Sequence, residues 1–362
     1  MLRLEARPQA SKPMRYLSPV IAVGLTLVCG IVLSALIGLD PLKAFRAFFI
    51  APIDDLYGLG ELGVKAAPLM LIATGLAIGY RSNIWNIGAE GQLTFGAICG
   101  GGLALYFYQS ESAWLLPAMI AAGAFGGMAW AAVPAFLRTR FNTNEILVSL
   151  MLNYVAVLFL SYLVYGPWRD PEGFNFPESR LFPDAAMLPV IVDGTRLHLG
   201  LLIALAAVVL GWIFMRKSFI GYQMRVAGLA DGAALYAGFD RRRMIWIGLL
   251  AGGAAAGIAG LGEAAGPIGQ LLPSVSPGYG YAAIIVAFVG RLHPFGILLA
   301  SLLMSLLYLG GESAQMELGL PSAVTGIFQG VLLFFLLAAD LFVDFRVRLA
   351  PRTPSAIEEA AS

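Results

Sequence analysis

The sequence carries little charge. Only 12% of its 362 residues are Asp, Glu, Lys or Arg, about half the share of a typical soluble domain. That leaves too little polar surface to coat a chain of this length in water. The hydrophobic fraction of 59% and the mean hydropathy of +0.80 instead point to a bilayer as the solvent. Cysteine and histidine are nearly missing. Cys29 and Cys99 both lie in apolar runs, which argues against a disulfide framework or a zinc site. His198 and His293 stand at segment ends without acidic neighbours in sequence and read as interfacial residues. There is no Gly-x-x-x-x-Gly-Lys-Ser/Thr loop for nucleotide phosphates, no Gly-x-Ser-x-Gly and no His-Glu-x-x-His, so nothing points to an ATP site, covalent catalysis or a metal centre. A net charge of +1 gives no general attraction to nucleic acid. No alternation spaced for an outer-membrane barrel is visible.

What is present is a succession of apolar runs. They predict an all-α, polytopic membrane protein with about ten transmembrane helices, near 17–39, 64–80, 91–108, 113–136, 145–165, 197–215, 244–262, 279–290, 295–310 and 323–343. The first run is longer than the apolar core of a secretory signal, about 7–15 residues, and reads as an uncleaved helix. The expected organisation is a tail at 1–16, a transmembrane domain at 17–345 and a tail at 346–362. Basic residues cluster at alternate loops: the N-terminal Arg3, Arg7, Lys12 and Arg15; Arg81; Arg138 and Arg140; the loop 216–243; Arg291; and Arg346, Arg348 and Arg352. The positive-inside rule then places both termini in the cytoplasm. The loop at 166–196 holds five prolines and reads as an extended external cap. Gly and Pro interrupt the segments 81–91 and 262–280. Such breaks are tolerated in a membrane only where protein or a cavity surrounds them. Their presence in both halves fits two half-domains that each supply a broken helix. Gly253, Gly257 and Gly260 suit close helix packing.

Three constellations invite a functional reading. The stretch Arg81–Gln92 is short and polar; Asn83, Trp85, Asn86, Gly88, Glu90 and Gln92 offer donors, acceptors and a bend for a translocation path, against the alternative of a plain hairpin loop. Glu145, Ser149 and Asn153 recur every four residues and share one helix face. Similar stripes fall at Ser301, Ser305 and Tyr308, and at Ser322, Thr325 and Gln329. These stripes suit interhelical hydrogen bonds or a weakly polar pore for an uncharged, hydroxylated solute. The loop 216–243 contains a predicted two-turn helix, with Asp231 as its N-cap and Gly238 beyond its C-terminus. Ala233, Ala234 and Ala237 give it a small-residue face. A helix this short needs a packing partner, so it reads as a coupling helix that docks on another protein.

The residues Asn86-Ile-Gly-Ala-Glu-Gly-Gln92, Thr143–Tyr154, Gly221–Gly238 and Tyr279–Gly290 occur in the order of a known family's landmarks. The chain resembles permeases of the branched-chain amino acid, ribose and nucleoside importer superfamily of ABC transporters over roughly residues 60–340. It is most similar to the larger permease subunit of bacterial nucleoside (simple-sugar-type) importers. The resemblance implies a multi-pass inner-membrane permease for a small polar solute, a nucleoside or alternatively a ribose-like sugar. A secondary transporter working without an ATPase is the competing reading. The resemblance also implies cytoplasmic ATPase subunits docked beneath Arg225, Gly228, Asp231, Ala233, Ala234 and Gly238, a second permease subunit, and a periplasmic or lipid-anchored substrate-binding protein. ATP would be used by the partner, with no cofactor bound by this chain. Phe288-Val-Gly290 and Gly252-Gly253 depart from the family's usual Leu-Leu-Gly and Ser-Gly.

Overall fold

The computed structural model describes residues 2–7, 11–36, 38–321 and 323–349. The chain runs β1 (Leu2–Ala6), α1 (Lys12–Leu36), α2 (Pro41–Phe49), α3 (Leu56–Tyr80), α4 (Ala89–Tyr106), α5 (Leu115–Phe141) and α6 (Glu145–Tyr165). It continues with α7 (Gly200–Lys217), α8 (Phe219–Leu229), α9 (Asp231–Tyr236), α10 (Arg241–Glu263), α11 (Tyr279–Val289), α12 (Pro294–Leu318), α13 (Ala323–Asp344) and β2 (Phe345–Leu349). All ten expected segments fall on helices. Seven helices among the described residues are long and apolar enough to cross a membrane; the apolar parts of α1 (Leu17–Leu33) and α11 are shorter. At 11 residues, α11 rises only about 16 Å and spans about half a bilayer core.

The chain forms two units. The first holds residues 1–46 and 314–362, the second residues 47–313. Within the first, Gly30 of α1 lies against the Phe328 ring of α13. The sequence places tails at 1–16 and 346–362. Instead α1 already begins at Lys12, and Leu2–Ala6 pairs antiparallel with Phe345–Leu349. The all-α class stands, with this ribbon as a small addition. Its residues alternate Leu2, Leu4 and Ala6 with Arg3 and Glu5, a period of two, in a stretch too short to stand out beside the helices. Ser322 and residues 350–362 lie outside the described residues, as do the side chains of Thr325 and Gln329.

The second unit is a bundle around α3, α4, α5 and α10. The apolar stretch of α3 is 83% buried, against 17% for α7, so α3 is central and α7 presents most of its surface outward. The tightest seam runs through glycines. A Cβ at Gly127 or Gly257 would collide with the backbone carbonyls of Gly253 or Gly123, and one at Gly96 with the backbone of Gly257. A lipid-facing helix gains nothing by hiding apolar groups, so association rests on this close backbone contact.

Both expected breaks appear. Helix α3 ends at Tyr80 and α4 starts at Ala89. After Glu263 the chain makes a π turn, Ala264–Ile268, around Pro267, which cannot donate a backbone hydrogen bond. The freed groups find partners in the 166–196 loop. Leu188 N–H donates to the Ala265 carbonyl at 2.8 Å, Phe182 N–H to Gly269 at 2.8 Å and Ser179 N–H to Leu271 at 3.0 Å. The Pro-rich loop is therefore ordered, and it satisfies backbone that could not be left bare at membrane depth.

Candidate translocation joint and coupling segment

The break between α3 and α4 is built on a network of amide side chains. The Asn86 carboxamide exchanges two hydrogen bonds with Gln92, at 2.8 and 3.0 Å, and accepts one from the Gly88 N–H. Tyr80 donates its hydroxyl proton to the Asn86 carbonyl at 2.9 Å. Asn153, reaching in from α6, accepts from the Gly91 N–H at 2.9 Å and donates to the Ile87 carbonyl and the Tyr281 hydroxyl, both at 3.0 Å. It thus caps the start of α4 with a side chain from another helix, because Gly88 at the N-cap has none to offer. Ser149 packs its Cβ against Gly88.

Glu90 is the charge at the centre. It is 7% exposed, and its carboxylate accepts from the Gly280 N–H at 2.7 Å. The Ser276 side chain and the Gly278 N–H face the same carboxylate. A side chain at 280 would overlap the Glu90 backbone, so the N-termini of α4 and α11 meet here. Each helix start carries a partial positive charge, and one carboxylate between two of them answers both. An isolated buried carboxylate would cost far more than this set of donors leaves.

Of the residues read as a path, Asn86, Gly88, Glu90, Gln92, Ser149 and Asn153 come together at this joint. Glu145 does not. It is the first residue of α6, buried and ion-paired with Arg138 Nη1. Asn83 and Trp85 lie on the exposed rim. Trp85 stacks on Phe288, centroids 5.6 Å apart, and lies tilted against Tyr80 at 5.2 Å, while the Tyr80 and Phe288 rings stack at 5.3 Å. The sequence reading missed Tyr80 and Ser276, and held Gly280 and Tyr281 only within the landmark run Tyr279–Gly290, without a role at the joint. The Tyr-Gly-Tyr run at 279–281 was the available signal, since a glycine between two large aromatics marks a place where backbone meets backbone. Ser305 donates to the Leu62 carbonyl at 2.7 Å and Ser301 to Leu298 at 2.8 Å within its own helix, so both are engaged in helix packing.

The second constellation folds as two helices. Ser218 caps α8 by accepting from the Gly221 N–H at 2.9 Å. The predicted cap of the next helix is corrected. Its N-cap is Ala230, and Asp231 is the first helical residue, with its carboxylate turned to Arg241 Nη1 at 2.8 Å. An arginine ten residues on draws the carboxylate away from the capping position. Gly238 does end the segment in the left-handed region, at φ +74°. The small-residue face is also divided: Ala233 and Ala237 are exposed, whereas Ala234 is 3% exposed and turned inward. The outward surface is apolar, with Leu229, Leu235 and Tyr236 exposed at 89%, 56% and 97%.

The two constellations touch. Asn83 adopts a left-handed conformation, φ +56°, and its amide donates to the Gly228 carbonyl at 2.9 Å. A Cβ at Gly228 would collide with the Arg81 carbonyl. The end of α8 therefore rests directly on the turn that leads into the break.

Comparison with known proteins agrees with this anatomy. Residues 59–337 match the family described as branched-chain amino acid transport system, permease component. The glucose ABC transporter permease protein TsgB13 of Haloferax volcanii is 36% identical over 359 residues, covering 96% of this chain and 94% of that protein. The guanosine ABC transporter permease protein NupP of Bacillus subtilis is 30% identical, with 88% and 92% covered. The nucleoside ABC transporter permease protein NupB of Lactococcus lactis is 25% identical, with 90% and 92% covered. No solved structure matches the chain. The helices, the order of the landmarks and these relatives lead to one conclusion: the chain belongs to the permease-component family of branched-chain amino acid-type ABC transport systems, as a multi-pass inner-membrane protein.

Proposed function

We propose that this chain is the pore-forming permease subunit of an ATP-driven importer for a nucleoside, and that α8–α9 is the handle by which an ATPase subunit moves the joint at 81–92. The observation that carries the coupling reading is the contact of Gly228 with Arg81 and Asn83. A push on the exposed side chains of α9 passes through α8 to the turn before α4, with no flexible spacer between. The partners are ATPase subunits beneath α9, a second permease subunit and a substrate-binding protein on the opposite face. ATP is hydrolysed by the partner, and this chain binds no cofactor. The loop 166–196 is external, and 216–243 and both tails are cytoplasmic.

Two relatives named for guanosine and nucleosides support the nucleoside reading. A sugar is the second reading, favoured by the relative named for glucose at 36% identity. Uptake of radiolabelled guanosine and glucose by the complete complex in proteoliposomes separates the two. The same vesicles test coupling. Asn83→Ala and Gly228→Val should leave ATP hydrolysis running while uptake falls about tenfold or more. Normal uptake in both would remove α8–α9 from the coupling path. Solute flux through this chain alone would overturn the importer reading.

A further inference from the structure

A cavity of about 300 Å³ opens at the basic-loop ends of the spans, beside the turn that begins at Arg81. It is lined by the ends of α3 and α7, by α8, and by the turn between α11 and α12. Arg81, Arg216, Arg225 and His293 all line it, and no Asp or Glu does. Neither Arg216 nor Arg225 joins an ion pair among the described residues. The Arg225 Nε is buried without a hydrogen-bond partner, and an arginine left so is costly. Arg81 donates to the Leu292 carbonyl, which fixes it at the wall. Arg216 and Arg225 thus line, beside Arg81, a space whose lining holds no acidic residue among the described residues, an arrangement that favours an anion there. Burial and the charges of Arg81 and Arg216 hold the His293 imidazole below its usual range, the response of a base to a positive field.

We infer that this cavity binds the phosphate of an anionic phospholipid headgroup. Planar guanidinium forks suit phosphate oxygens, which they can contact in pairs. The room is sufficient for a phosphate and its glyceryl substituent, given that one water occupies about 30 Å³ in the liquid. The location selects lipid over a soluble anion. Trp212 lines the mouth half-exposed, with the Arg216 guanidinium 5.7 Å from its ring centroid, the pairing of aromatic and base found at a membrane–water boundary. Val209, Leu210 and Ile213 on the same helix are exposed apolar residues, and they offer a path for the acyl chains. Basic pockets between spans take anionic headgroups by the same physics. This site is independent of the solute carried.

The test is native mass spectrometry of the full chain in detergent, with equal amounts of dioleoyl phosphatidylglycerol and dioleoyl phosphatidylcholine. The wild type should retain one phosphatidylglycerol in preference to phosphatidylcholine. Arg216→Gln with Arg225→Gln should lower that retention roughly twentyfold. The charge-matched pair Arg140→Gln with Arg242→Gln should not. Arg216→Lys with Arg225→Lys, which keeps the charge but loses the paired contacts, should bind between the wild type and the Gln pair and so excludes misfolding as the cause. Equal loss in both Gln pairs, or no preference between the lipids, overturns the inference. Full displacement of phosphatidylglycerol by millimolar inorganic phosphate overturns the lipid assignment in favour of a soluble anion.

Discussion

The joint at 86–92 and the segment at 229–238 were both singled out by their polar or small residues, yet they are built in opposite ways. At the joint every amide finds a partner inside the chain. Asn86, Gln92, Asn153 and Glu90 are buried and hydrogen-bonded to one another or to helix ends. At the end of α8 and along α9, Leu229, Leu235 and Tyr236 face outward, uncovered by the described residues. The first region spends its chemistry on holding two half-helices together, and the second keeps its contacts for another molecule. Burial and satisfaction separate the two where residue type does not.

Four substitutions would break or sharpen that contrast, all read as unfolding midpoints in detergent. The largest effect is expected at Gly280→Val, where new atoms meet the Glu90 backbone; a cost of about 4 kcal/mol or more should prevent stable folding. Asn153→Ala removes three hydrogen bonds and strands the buried Gly91 N–H and the half-buried Ile87 carbonyl, for about 3 kcal/mol. Within α9, Ala234→Trp forces a large ring into a buried site and should cost about 2 kcal/mol. Ala233→Trp, one residue away and exposed, should change stability by less than about 0.5 kcal/mol while abolishing ATP-driven uptake. If Ala233→Trp unfolds the chain as readily as Ala234→Trp, the outward face of α9 is structural and the contrast fails.

The sequence was most legible where the signal was long. Every apolar run of membrane length became a helix because spanning backbone has few other ways to satisfy itself. The two breaks were legible from Gly and Pro, and the stripe Ser149–Asn153 from its four-residue spacing. What stayed hidden depends on distant partners. Nothing near Asp231 announces that Arg241 will claim its carboxylate, and nothing near Glu90 names Gly280, 190 positions along the chain, as its donor. Glu145 shares the spacing of its stripe but belongs to Arg138, because the turn between α5 and α6 brings that base closer than the joint. The ribbon of Leu2–Ala6 with Phe345–Leu349 joins the two ends of the chain, a pairing that no local pattern encodes.

The glycine seam of α4, α5 and α10 has a mechanical consequence. Helices whose backbones touch at Gly96, Gly123, Gly127, Gly253 and Gly257 have no side-chain cushion between them. They cannot slide by a fraction of a turn without carbonyl meeting carbonyl, so they behave as a single strut. Any change of shape during a working cycle must be absorbed at the ends of that strut, in the turn at 81–88 and the irregular stretch at 269–278.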